Sequence, residues 1–236
     1  MIKNTVIRAL ATVLLLCASP ALWAQIITLT GADFKPLLGK QTGLYSFFAM
    51  QDGRLSPVPH QWVQWSKEGY PYFQEDDSTH LLGDPLRIDS EDRLLLRFED
   101  GGPALSGQVS EQVVADLVVT HNDQEHHFYL VKNAYLQSTE RYVQFDPKSM
   151  TIKSTDFALS MADQNLFKWN DFYFRGFEGE NGQRQSILDT LKLRLSAGVF
   201  GENNRVTLNN NNLDPKVKQI ISGPLAAMVY ATTSVK

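Results

Sequence analysis

The densest group of side chains able to hold a ligand lies between positions 61 and 73. Trp62, Trp65, Tyr70, Tyr72 and Phe73 fall there, with Gln61, Gln64 and Lys67 among them. Flat rings offer faces on which sugars stack through their C–H groups, while amide and ammonium groups supply directed hydrogen bonds. Trp62, Trp65, Tyr70, Tyr72, Gln61 and Gln64 are therefore the candidate ligand-binding residues. The competing assignment is structural, since large rings are also what a β-protein uses to fill its core. A second group, Trp169, Phe172, Tyr173 and Phe174, reads more readily as core, because Phe172 and Phe174 share one face of a strand.

Two further groups bear on metals. His121, Glu125, His126 and His127 surround an expected hairpin tip, and imidazoles with a carboxylate can hold zinc or copper. Neighbours on a strand point to opposite faces, so at most one of His126 and His127 joins His121. The acidic series Glu75, Asp76, Asp77, Asp84, Asp89, Glu91, Asp92, Glu99 and Asp100 could gather round calcium. Its spacings miss the calcium loop of alternating ligands about a central glycine. No metal and no cofactor is assigned. No serine, histidine and carboxylate sit in a nucleophile motif. The paired carboxylates of a glycosidase are defined by distance in space, which spacing along the chain does not give. Catalytic residues therefore stay unassigned.

The first 24 residues read as a secretory leader. Lys3 and Arg8 precede an apolar run over residues 9–18, followed by Pro20 and a small residue at Ala24. This is the charged, apolar and small-residue order of a signal peptide, with cleavage expected between Ala24 and Gln25. The apolar run is shorter than the roughly 20 residues a bilayer span needs. Cys17 is the only cysteine, and Leu16 stands before it where a lipid-attachment signal has a small residue. Without Lys3 and Arg8 the remainder carries 20 basic and 26 acidic residues, near −6. That balance disfavours nucleic acid and anionic membrane as partners. The expected location is the periplasm or the exterior of a Gram-negative type cell.

Period-two alternation recurs along the rest of the chain and long helical periodicity does not. Expected strands cover residues 26–30, 43–49, 93–99, 113–120, 127–132, 141–145, 151–154, 157–160, 171–175, 190–197, 205–209, 217–222 and 225–232. Turn chemistry falls between them, as in Asp52-Gly53, Asp100-Gly101-Gly102-Pro103, Asp146-Pro147 and Gly179-Glu180-Asn181-Gly182. Short strands at this spacing indicate an all-β antiparallel sandwich or barrel, and the expected fold is an antiparallel β-sandwich, for which two packed sheets are one arrangement. The one expected helix is short, at residues 183–189. No proline-rich linker divides residues 25–236, which read as one sandwich-like domain.

Several short motifs carry a resemblance. Pro57-Val58-Pro59-His60-Gln61, Asp89-Ser90-Glu91-Asp92 running into Leu94-Leu95-Leu96-Arg97-Phe98, and Asp100-Gly101-Gly102-Pro103 come first. Arg141-Tyr142-Val143-Gln144-Phe145-Asp146-Pro147, Leu191-Lys192-Leu193-Arg194 and Gly223-Pro224-Leu225 follow in that order. Together they resemble a family of uncharacterised exported bacterial β-sandwich proteins. The resemblance implies the fold and export but no activity, and it implies a C-terminal end shortened relative to the family.

These readings converge on an exported envelope protein acting as a non-catalytic binding or structural module. A glycan is the leading ligand, and another envelope component is the other partner considered. The competing class is a polysaccharide lyase or hydrolase built on carboxylates that the fold gathers. The leader reading is directly testable: protein recovered from an envelope or culture fraction should have the intact mass of a chain starting at Gln25. A retained Met1, or a lipid on Cys17, would refute it.

Overall fold

Arg93-Leu94-Leu95-Leu96-Arg97 is apolar on both faces, so as a strand it must be covered on both sides. A computed structural model of the chain places it at the centre of a three-stranded sheet. The structure describes residues 7–10, 25–74, 81–107, 112–132, 136–162, 165–179, 182–188, 191–192, 194–198, 205–209 and 211–235. They belong to two compact units, Met1–Arg141 and Tyr142–Lys236.

The first unit is a sandwich. Its strands are β1 (Ile7–Leu10), β2 (Ile26–Thr30), β3 (Ser46–Gln51), β4 (Arg54–Val58), β5 (His60–Val63), β6 (Arg93–Arg97), β7 (Val113–His121) and β8 (Gln124–Val131). One sheet runs β1-β7-β8-β3-β4 and the other β2-β6-β5. All pairings are antiparallel except that of β1 with β7. Ile27, Leu29, Leu94 and Leu96 from the smaller sheet share one core with Phe47, Ala49, Val58, Leu117, Val119, Phe128 and Leu130 from the larger. The far face of the larger sheet carries a second cluster, Phe48, Val113, Tyr129 and Val131, against which Leu105 packs. The Leu105 N–H donates to the Tyr129 hydroxyl at 2.6 Å.

The second unit is also antiparallel. Strands β9 (Val143–Asp146), β10 (Thr151–Ser154), β11 (Phe157–Met161), β12 (Lys168–Glu178) and β13 (Arg184–Ser186) form a sheet in chain order, with β14 (Leu191–Lys192) added to β12. Two hairpins accompany it, β15 (Arg194–Gly198) with β16 (Arg205–Asn209), and β17 (Leu213–Ser222) with β18 (Ala227–Val235).

The all-β, antiparallel, sandwich-like class expected from the sequence is thus the class observed. The expected helix at 183–189 is not: Arg184–Ser186 pair with β12 as a strand, and Asp189 lies outside the described residues. Gly182, at φ +67°, closes a turn in which its N–H reaches the Gly179 carbonyl and the Gly179 N–H reaches Gln183. That turn feeds the chain straight back along β12. Helical turns occur as short 3-10 segments at Gly31–Leu37, Thr42–Leu44 and Phe98–Asp100. Four strands lie outside the expected ones: β1 falls in the expected leader, β13 replaces the expected helix, and β4 and β5 carry Pro57 and Pro59 in or beside them, which argue against a strand interior. Pro57 is accommodated because β4 is an edge strand, where a missing N–H costs no ladder bond.

The paired glycines after β6 have a steric reason. Gly102 exchanges backbone hydrogen bonds with His127 at 2.7 and 3.3 Å, inserting the loop beside β8. A Cβ on Gly101 would lie 2.7 Å from the His126 Cβ, and one on Gly102 would collide with the Met50 carbonyl. Gly102→Ala should therefore cost about 3 kcal/mol, at the upper end of overpacking penalties. Gly43→Ala, where added atoms meet nothing within 4 Å, should be nearly neutral. Urea melts of both variants check this, and equal stability of the two would contradict it.

Candidate functional site

The segment after β5 folds as a hairpin over residues 64–72. The Ser66 N–H donates to the Tyr70 carbonyl at 2.8 Å and the Tyr72 N–H to the Gln64 carbonyl at 2.9 Å. Trp65 bridges to Pro71, and Gly69 at φ +87° turns the tip. With this pairing, alternation puts Gln64, Ser66, Tyr70 and Tyr72 on one face of the hairpin and Trp65 with Pro71 on the other.

The six candidate residues do not share one surface. Trp62 stands in a cross-strand row with Leu94 and Leu29, so it points toward the sandwich core. Its ring meets Phe34 edge-on at 5.9 Å. Gln61, on the other face of β5, is buried. Trp65 is half-buried with the Arg93 guanidinium 4.8 Å from its ring centroid, a cation–π contact that covers one face. Tyr72 is half-buried, and Tyr70 is 38% exposed. Tyr70, Tyr72 and Gln64 are thus on one face of the hairpin, Trp65 is adjacent on the opposite face, Gln61 is buried, and Trp62 is half-buried against the core.

Gln64 also reaches inward. Its Nε2 donates to Asp92 Oδ2 at 3.1 Å, and the same oxygen accepts the Asp89 N–H at 2.9 Å. Asp92 has no solvent exposure. Burial pushes its carboxyl up to about 6, and the nearby Asp89 carboxylate pushes the same way, while the hydrogen bonds from Asp89 and Gln64 oppose. His60, packed against Phe47 with ring centroids 5.2 Å apart, is shifted down by burial.

The rest of the acidic series is engaged in backbone capping and pairing. Asp89 accepts the Asp84 N–H at 2.8 Å, and Asp84 accepts the Leu86 N–H at 2.9 Å and pairs with Arg87 at 3.2 Å. Arg97 pairs with Glu99 at 3.2 Å and Asp100 at 3.5 Å. Glu75, Asp76 and Asp77 lie outside the described residues. The histidines separate by strand parity. His126 stacks on Phe98 at 4.2 Å and its Nδ1 faces the Phe98 carbonyl, while His121 meets the same ring edge-on at 5.5 Å. His127 faces Asp116 through Nδ1 at 3.0 Å and Glu125 through Nε2 at 3.1 Å. Opposite nitrogens of one ring cannot direct both carboxylates to a single ion. Among the described residues no three His, Cys, Asp or Glu side chains converge on a metal position.

Two cavities of the first unit are of a size to take a small molecule. One of about 270 Å³ is lined by Gln25, Ile27, Phe98, Val119 and His121, and another of about 310 Å³ by Phe34, Leu37, Tyr45, Ala115 and Lys132. Both are mostly apolar and lie within the first unit. No protein-family model, curated protein or solved structure matches this chain.

The buried carboxyl sets a pH dependence. Because the folded value for Asp92, about 6, is above the ordinary 3.8, the fold favours the protonated form. Its contribution is complete below about pH 4 and is lost as pH rises through 6, at most about 3 kcal/mol for a shift near two units. Asp92→Asn, which mimics the neutral form, should gain stability relative to the parent as pH rises from 4 to 7. Burial of His60 acts in the opposite sense, but it is common to both proteins and cancels in the difference. Urea melts across that range read the effect, and parallel profiles would exclude it.

Proposed function

We propose that this chain is an exported, non-catalytic binding module of the cell envelope, and that its ligand is a glycan. The observation that carries this reading is the Tyr70, Tyr72 and Gln64 face of the hairpin at residues 64–72. There, two phenol rings lie outside the main core on a hairpin that the Gln64 amide fastens to Asp92. A phenol ring with an accessible face stacks on sugar C–H groups while its hydroxyl gives direction; the Gln64 amide, turned inward to Asp92, holds the hairpin in place. Trp65, with the Arg93 guanidinium over its ring, lies on the opposite face of the hairpin and stands outside this surface. The leader supports placing this activity in the periplasm or outside the cell.

The enzymatic alternative loses its best acid. Asp92 has the raised carboxyl expected of a general acid, yet it has no surface through which to reach a substrate. Its oxygen is committed to Gln64 and to the Asp89 backbone.

Glycan-array binding of the parent protein, Tyr70→Ala and Trp62→Ala separates ligand contact from folding. Tyr70→Ala should weaken binding about tenfold, the value of one ring contact of about 1.4 kcal/mol, with its melting temperature kept. Trp62→Ala should lose about 3 kcal/mol of stability, because its ring packs on the core. A parent protein that binds no glycan, or a Tyr70→Ala variant that binds as well as the parent, would sink the proposal.

A further inference from the structure

The pairing of β2 with β6 takes hold at the residue that leader removal would make the first of the mature chain. The Gln25 carbonyl accepts the Phe98 N–H at 2.9 Å, and Ile26 pairs with Arg97 as β2 runs along β6. The Gln25 backbone nitrogen itself donates to Glu99 Oε1 at 3.1 Å. On the other side of that carboxylate, Oε2 lies 3.2 Å from Arg97 Nε, and Arg97 Nη1 lies 3.5 Å from Asp100 Oδ1. One guanidinium in this group therefore serves two carboxylates. Cleavage at Ala24 would convert the Gln25 amide nitrogen into an α-ammonium and bring a second cation to balance them. The other titratable groups beside it are His121, which lines the same cavity as Gln25, and His126, stacked on Phe98. Both flank the Phe98 ring.

An N-terminal glutamine has its own chemistry. The α-nitrogen can attack the side-chain Cδ: a C–N bond forms, the Cδ–Nε2 bond breaks, and ammonia leaves with the proton shed by the α-nitrogen. The product is a neutral pyroglutamyl lactam. The attack needs the nitrogen lone pair, which an ammonium lacks. A carboxylate within hydrogen-bond reach favours the charged form of an amine, so it suppresses the reactive form.

From this geometry we infer that Glu99 is the docking site for the α-ammonium created at Gln25. The pair fastens the first residue of β2 to the end of β6 and protects Gln25 from cyclisation. The inference rests on the leader reading. It is independent of what the hairpin at residues 64–72 binds.

The test starts with the processed protein and a Glu99→Gln variant, each recovered from the envelope fraction. Glu99 is exposed, so this change leaves the core intact. Intact mass first identifies the N-terminal residue. Both proteins are then held folded at about pH 6.5, below the ordinary α-amino value of about 7.7–8.0 so that both amines are mostly protonated, and loss of one ammonia is followed by mass. The variant should cyclise about tenfold faster, as one unit of amine pKa changes the free-amine fraction tenfold. In denaturant the two rates should coincide, which assigns the protection to the fold. A first residue other than Gln25 overturns the leader reading and the inference with it. A Gln25 start with equal folded rates overturns the inference alone.

Discussion

A single buried carboxyl, Asp92, joins three segments of the first unit, and the candidate site depends on it. Its side chain accepts from Gln64 at the root of the hairpin and from Asp89 in the turn before β6, and its backbone carbonyl accepts the Gly31 N–H at 2.9 Å. Burying a carboxylate without such donors costs several kcal/mol. The fold meets that cost partly with hydrogen bonds and partly by raising the carboxyl toward the protonated state. The position of Tyr70 and Tyr72 is thereby tied to β6, the most deeply covered strand of its sheet. A ligand surface resting on such a support is held by the core and not by the flexibility of a loop.

The chain discloses its strands where alternation or continuous apolarity is strong, and conceals them where it is weak. Ile26–Thr30, Thr151–Ser154 and Arg205–Asn209 match expectation residue for residue, and Arg93–Arg97 differs only at its C-terminal end, where a 3-10 turn takes over. In His60–Val63 each face carries one polar and one apolar residue, His60 with Trp62 and Gln61 with Val63. Alternation gives no contrast there, so Trp62 read as a ligand residue although its row faces the core. The same lack of contrast hid Gln61. Arg93 over Trp65 was beyond sequence reasoning, because the contact joins positions 28 residues apart through a register known only from the folded sheet.

Strand parity was a better guide to the histidines than composition was. Adjacent side chains must diverge, and His126 and His127 do so, one to Phe98 and the other to Asp116 and Glu125. His121 joins the Phe98 side. A cluster that looks like a ligand set in the sequence is thus divided between the two faces of one sheet by geometry that any strand imposes.

The two units differ in how their apolar surface is used. In the first, two sheets close over a continuous core of fully buried side chains from Ile27 to Leu130. In the second, the buried apolar residues among those described are Phe145, Met150, Leu159, Ala162, Leu213, Pro215 and Leu225. The aromatic run on β12, from Trp169 to Phe174, is only half-buried, and Phe177 is exposed. Hydrophobic stabilisation scales with apolar area removed from water, so half-covered rings contribute less per residue than the sealed core of the sandwich. Residues 25–236 contain no cysteine to form a disulfide. Local opening should therefore begin in β12 and its partners before the sandwich yields. The candidate site lies in the unit whose core is better closed, and its geometry is expected to outlast the first stage of unfolding.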